Sequence, residues 1–210
     1  DLHIDSYARQ SHPVGHIPKT DADLVLVAGD TANSDRGMPW LQEQAARLEV
    51  PLITIAGNHE YFDEDVLKFD HKLATWDNYD TAYKKGVRVL QCQHIDIGDI
   101  RLLGCTLWTD YQYHANEDTM AAARHFMRDY KQIYAGNELF SPEVSMQIHA
   151  EHRQWLQQAL IESHKLGKKT VVMSHHSVSA LSVSEKYANL PSNAAFVSDL
   201  SGWMHEDWAP

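Results

Sequence analysis

The apolar residues of this chain fall into short unbroken runs separated by longer amphipathic stretches. Residues 24–28 (LVLVA), 52–56 (LITIA) and 170–173 (TVVM) show no alternation with polar positions. Runs of this length, rich in branched side chains, predict strands covered on both faces, as in a parallel sheet. A shorter strand is expected at 87–90. Ile95-Asp96-Ile97 and Ile100-Arg101-Leu102-Leu103 alternate instead around Gly98-Asp99, which predicts an antiparallel hairpin.

Between these runs the apolar period is helical. Pro39 at a helix start, with Trp40, Leu41, Ala45 and Leu48, predicts a helix ending near Glu49. A stripe of Met120, Ala123, Phe126, Met127, Tyr130 and Ile133 predicts another over 118–134. Ser141 as N-cap and Pro142 at the first position open a third, running to about Lys165 with Trp155, Leu156, Ala159 and Leu160 inward. Residues 63–86 read as an irregular helical stretch. Residues 4–23 are polar and read as a loop across the mouth of a site, with Asp5, His12 and His16 solvated. Strand 24–28, helix 39–49 and strand 52–56 form a βαβ unit, so the fold class is α/β.

At 210 residues and 43% hydrophobic, the chain can bury a real core. It is expected to be one domain over 1–210 with a helical insertion at about 118–165. No repeat is visible. The net charge of -11 disfavours long nucleic acid as a partner. It also opposes phosphate substrates unless bound cations reverse the field locally. Cys92 and Cys105 are too few for a disulfide framework and are read as reduced. No run is long enough to span a bilayer, so the expected location is cytoplasmic. The first residue is Asp1 rather than Met, which leaves room for a removed signal peptide. Of the 14 histidines, His149, His152 and His164 lie along the third helix without ligand partners at useful spacing and are expected to be solvated.

Chemistry gathers where the runs stop. Run 24–28 ends at Gly29-Asp30, run 52–56 at Gly57-Asn58-His59-Glu60, and run 170–173 at Ser174-His175-His176; the chain opens with Asp1-Leu2-His3. Parallel strands deliver such residues to the crevice at one sheet edge. Asp1 and His3 are spaced to chelate one ion from an extended segment. A carboxylate such as Asp30 has two oxygens and can bridge two cations, although it suits a helix N-cap equally well. Asn58 offers a neutral oxygen and His59 a titratable nitrogen, while His175 is preferred as a ligand with His176 its neighbour.

In order and strand-end context these motifs resemble the calcineurin-like metallophosphoesterase superfamily. The resemblance implies a four-layer α/β/β/α sandwich with helical insertions near the active-site edge. It further implies two divalent ions, drawn from Mn, Fe, Zn or Ni, with Asp1 and His3 on the first, Asp30 bridging, and Asn58 and His175 on the second. His59 would face the substrate beside Asn58, as acid or charge stabiliser. The implied reaction is hydrolysis of a small phosphomonoester or phosphodiester by a hydroxide bridging the two metals. The alternative is a non-catalytic scaffold of the same fold that binds a protein partner. The family pattern also has a strand before D-x-H and a late G-H-x-H, neither of which this sequence contains. That predicts a sequence incomplete at both ends. His205, without a preceding Gly or a paired His, is not taken as a ligand.

Overall fold

The computed structural model describes residues 1–9, 15–114, 116, 118–187 and 190–204, with the side chains of 7–9 set aside. His12 and His205 lie outside the described residues. The elements in order are α1 (Ile4–Arg9), β1 (Val25–Val27), α2 (Met38–Leu48), β2 (Leu52–Thr54), α3 (Phe69–Trp76), β3 (Val87–Val89), β4 (Gln93–Ile97) and β5 (Ile100–Cys105). They continue with α4 (Thr119–Phe126), α5 (Asp129–Gln132), β6 (Tyr134–Ala135), β7 (Glu138–Leu139), α6 (Pro142–Lys165) and β8 (Lys169–Ser174), with short 3-10 turns between.

Two three-stranded sheets carry this mixed α/β fold. The first is parallel, in the order β1-β2-β3, with Val25 beside Leu52 and Leu52 beside Val87. The second has the order β4-β5-β8, where β4 and β5 form the expected hairpin and β8 runs parallel to β5. Strand alternation sorts the apolar residues into separate clusters. Leu52, Val27, Val87 and Val89 join Leu41 and Ala45 of α2 and Leu73 of α3, whereas Ile53, Ile55 and Leu90 join Leu102 and Met173 of the second sheet. Leu103 and Cys105 point the other way, onto Leu156, Ala159 and Leu160 of α6. Gly104 stands where β5 comes closest to the first sheet, since a Cβ there would lie 2.7 Å from the Leu90 Cβ and 2.9 Å from the Ile55 Cγ2.

Several expectations need correction. Leu26 is 44% and Val171 42% exposed because β1 and β8 are edge strands, so neither of these apolar runs is covered on both faces. The segment 4–23 is not loop throughout, since it begins with α1, which is hung on the first sheet by backbone bonds from Leu2 and His3 to the Asp30 carbonyl and from Ile4 to that of Thr31. The helix over 118–134 is broken after Phe126 and resumes at Asp129, leaving Phe126 75% exposed and ending in the small hairpin β6-β7. His149 and His152 are not solvated but buried, on the same stripe of α6 as Leu156 and Leu160. Ser141 caps α6 as expected, its hydroxyl accepting from Val144 N–H. Cys92 and Cys105 are free thiols.

Candidate metal centre

The edge formed by the ends of β1 and β2 depends on two glycines. Gly29 has φ +86°, and a Cβ on it would fall 2.4 Å from the Gly57 nitrogen. A Cβ on Gly57 would fall 2.2 Å from Asp30 Oδ1 and 2.7 Å from the His175 ring. Only two residues without side chains let these loops touch. The loops are then fastened by Glu60, which is fully buried and accepts three backbone N–H groups, from Asp30 at 2.9 Å, Thr31 at 2.8 Å and Gly57 at 2.8 Å. Burial raises the Glu60 pKa to about 7, with Asp30 acting in the same direction and the three N–H groups against it.

Asp30 sits at the middle of the cluster with φ 52° and only 4% of its surface exposed. Its two oxygens face different imidazoles. Oδ1 lies 3.5 Å from His175 Nε2 and accepts the His59 N–H at 2.9 Å. Oδ2 lies 3.5 Å from His3 Nε2 and 3.9 Å from His59 Nε2. Asp1 is brought to the His175 side, with 3.9 Å between its Oδ1 and His175 Nδ1. The ligand-type atoms thus form two groups sharing Asp30, one of His3, Asp30 and His59 and one of Asp1, Asp30 and His175. Every sequence-predicted site residue lies in this one region, but Asp1 stands with His175 and not, as its spacing suggested, with His3.

The orientation of each ring is set by its second nitrogen. His175 donates its Nδ1–H to the Ala28 carbonyl at 2.9 Å, so its Nε2 lone pair faces the centre. His59 donates its Nδ1–H to Asn33 Oδ1 at 2.8 Å, which turns its Nε2 towards Asp30 and His3. Burial lowers the His59 pKa, with His3 and Arg128 acting in the same direction and Asp30 against it. His176 is buried beneath, donating to the Thr106 carbonyl at 3.3 Å, and burial holds it well below its usual pKa as a neutral ring.

Two residues of the centre were not legible in the sequence. Asp129, at the start of α5, is 4% exposed, and Asn58 hydrogen-bonds to it; burial, with Asp30 in the same direction, raises its pKa to about 6. With its amide nitrogen engaged there, Asn58 turns Oδ1 to His175 Nε2 at 3.0 Å. Arg128 lies over the Phe62 ring at 5.0 Å, close enough to act on His59. Both residues fall at the break between α4 and α5, where the apolar stripe suggested continuous helix.

These donors fit divalent cations. In the ring form that carries its proton on Nδ1, towards the Ala28 carbonyl, His175 Nε2 and Asn58 Oδ1 are both acceptors, 3.0 Å apart. The Asp129 Oδ1 is buried without a hydrogen-bond partner, and Asp1, Asp30 and Asp129 concentrate negative charge around the same point. A shared cation relieves both, and mixed carboxylate, amide and imidazole donors suit a transition metal. No helix among the described residues is long and apolar enough to cross a membrane.

A mixed α/β protein with a metal-binding cluster at its strand ends is the class that fold and site define. The chain belongs to the calcineurin-like phosphoesterase family, whose model matches residues 1–199. It is therefore placed among hydrolases of phosphate esters that use divalent metals. No curated protein sequence matches the chain. Among solved structures it is similar to the crystal structure of phosphopantetheinyl hydrolase from Mycobacterium tuberculosis, with a TM-score of 0.64 and 18% identity over 100% of this chain and 77% of that one. At that identity the likeness is one of fold.

Proposed function

We propose that the protein is a phosphoesterase with two divalent ions that hydrolyses a small phosphomonoester or phosphodiester. The observation that carries this reading is the division of the Asp30 oxygens between two ligand groups, since a carboxylate so placed can hold one ion on each oxygen. Asp30 with His3, and Asp30 with Asn58, His175 and Asp1, are the residues that would hold them. Bound ions supply an acidified water and offset the charge of the phosphoryl oxygens. Mn, Fe, Zn and Ni all suit this donor set.

The chain supplies the rest. Glu60 and the two glycines fix the loops, so the ligands need no rearrangement on binding. His59 presents Nε2 to the centre with Nδ1–H anchored on Asn33. Once protonated, it hands that proton to the departing oxygen of the ester. The presence of this group disfavours the non-catalytic scaffold.

The test is hydrolysis of p-nitrophenyl phosphate and bis-p-nitrophenyl phosphate by protein loaded in turn with Mn, Fe, Zn and Ni. The fold shared with a phosphopantetheinyl hydrolase adds a phosphopantetheinyl ester to the panel. Turnover is expected with at least one metal, lost on chelation and in Asp30→Asn. No turnover with any metal overturns the proposal, and unchanged turnover in His59→Ala removes the role given to that residue.

A further inference from the structure

Beside the metal centre the surface opens into a cleft of ≈ 650 Å³, far larger than a phosphoryl group requires. Asp1, Asn58 and His175 form its inner end, and its outer walls come from residues 177–187 and 190–197. That segment is tied under the cleft by parallel backbone bonds, Ser177 to the Phe196 carbonyl at 2.9 Å and Ser198 to that of Ser177 at 3.0 Å. Asn193, 8% exposed, braces the outer wall by donating to the Tyr187 carbonyl at 2.5 Å.

The chemistry of this lining is one-sided. Tyr187, Leu190 and Phe196 are 45%, 47% and 51% exposed, so three large apolar side chains are left open around one depression. Scattered apolar residues need no explanation, but a cluster next to a reactive centre marks a ligand surface. The polar positions between them are neutral serines and Asn193, and the only charged lining residue among those described is Asp1 at the metal end. The Lys186 ammonium lies over the Tyr187 ring at 4.9 Å and is not part of the lining. A second phosphate or a carboxylate on the substrate would face the Asp1 carboxylate at the inner end and would find a cation only in Lys186, beside the Tyr187 ring, whereas a chain with apolar and hydroxyl or amide groups would meet partners for both along the walls.

We infer that this cleft is the subsite for the organic group of the substrate, and that it selects phosphate esters of an elongated, uncharged alcohol over those carrying further anionic groups. The inference rests on the hydrolase reading and deepens it. Apolar contact remote from the phosphorus raises kcat/KM when it is used to position the ester.

The experiment compares three esters on the metal-loaded protein: ethyl phosphate, a long N-acylaminoalkyl phosphate, and the same chain ending in a carboxylate. The neutral long ester is expected to exceed ethyl phosphate in kcat/KM by about tenfold or more, with much of that advantage lost in the carboxylate form. Phe196→Ala is expected to lower kcat/KM for the long neutral ester about tenfold more than for ethyl phosphate. Equal kcat/KM for all three, a preference for the carboxylate form, or an equal effect of Phe196→Ala on each overturns the subsite. If no ester is turned over, the hydrolase reading fails separately, and calorimetry with the matching phosphonates decides the cleft alone. Tighter binding of the long neutral phosphonate supports it, and binding independent of chain length overturns it.

Discussion

The buried carboxylate of Glu60 accepts the backbone N–H of Asp30 at 2.9 Å, and so joins two residues that come from different strand ends. The same carboxylate holds Thr31 and Gly57, which makes it the fastening between the G-D and G-N-H-E turns. Glu60→Gln keeps the shape but replaces one acceptor oxygen by a donor that faces N–H groups. One or two buried N–H groups then lose their partner, at about 1–3 kcal/mol in total. Chemical denaturation of the metal-free protein should show that loss, and divalent affinity should fall with it because Asp30 loses its fixed position. An unchanged denaturation midpoint would show that the loops are held by other contacts.

Asp129 hydrogen-bonds to the Asn58 side chain and so would orient it towards an ion held there. Asp129→Ala should weaken divalent binding by about tenfold or more, the size expected when the partner of a ligand is removed. The same substitution removes a buried carboxylate with an unpartnered oxygen, so the metal-free fold should be no less stable. Titration calorimetry and unfolding of the metal-free protein separate the two effects. A fall in stability with unchanged affinity would make Asp129 a structural residue only.

The strand ends were legible because the runs 52–56 and 170–173 carry nothing more polar than one threonine each until Gly57-Asn58-His59-Glu60 and Ser174-His175-His176. Asp129 and Arg128 were hidden by the stripe Ala123, Phe126, Tyr130, which suits one continuous helix. The break that places them is a tertiary effect, since Asp63 N–H reaches the Gln132 carbonyl and Tyr134 N–H reaches that of Glu64. His149 and His152 were misread for a simpler reason. Together with Leu156, Ala159, Leu160 and Ser163 they complete the buried face of α6, a pattern visible only if histidine is allowed to count as a core residue. Leu26 shows the remaining limit, because a run of apolar residues does not reveal which strand will be the sheet edge.

Removing the divalent ions should lower stability. A ligand held only by the folded state adds RT ln(1 + [L]/Kd), about 2.7 kcal/mol at one hundred times Kd. Thermal unfolding with and without excess Mn should differ by several degrees, and Asp30→Asn should abolish the difference. Asp30→Asn should also stabilise the metal-free protein slightly, because the charge that Asp30 places beside Glu60 and Asp129 is gone. A full Mn response in that variant would exclude Asp30 as a ligand.

Away from the centre, Asp96 and Arg101 pair across the β4-β5 hairpin, with Arg101 buried and its Nε 2.7 Å from Asp96 Oδ1. The side-chain hydrogen bond to Arg101 holds Asp96 down to about 2, and Lys168 adds to the shift. A carboxylate depressed in the folded state stabilises fully above its unfolded pKa, near 4, and that contribution is lost as pH falls through about 2. Asp96→Asn should therefore cost about 1 kcal/mol at neutral pH, a modest figure because the aspartate is partly exposed, and the gap from the parent protein should close in acid. Parallel denaturation curves from pH 6 to pH 2 check this; a gap that stays constant would mean that the loss comes from packing and not from charge.

Gly57→Ala is the most severe single change expected. At this position φ is not the obstacle; space is, since the new methyl would lie 2.2 Å from Asp30 Oδ1, 2.5 Å from the Asp30 nitrogen and 2.7 Å from His175 Cε1. Two of these neighbours belong to Asp30, whose backbone is held by Glu60 and whose carbonyl holds Leu2 and His3. The loop has no direction in which to yield without breaking one of those bonds. A loss of about 3 kcal/mol or more is expected, together with loss of divalent binding. Gly104→Ala serves as the control, because its methyl would clash with Leu90 and Ile55 in the core while leaving the centre untouched. If Gly57→Ala folds and binds Mn as well as that control, the close approach of the two strand ends is not what builds the site.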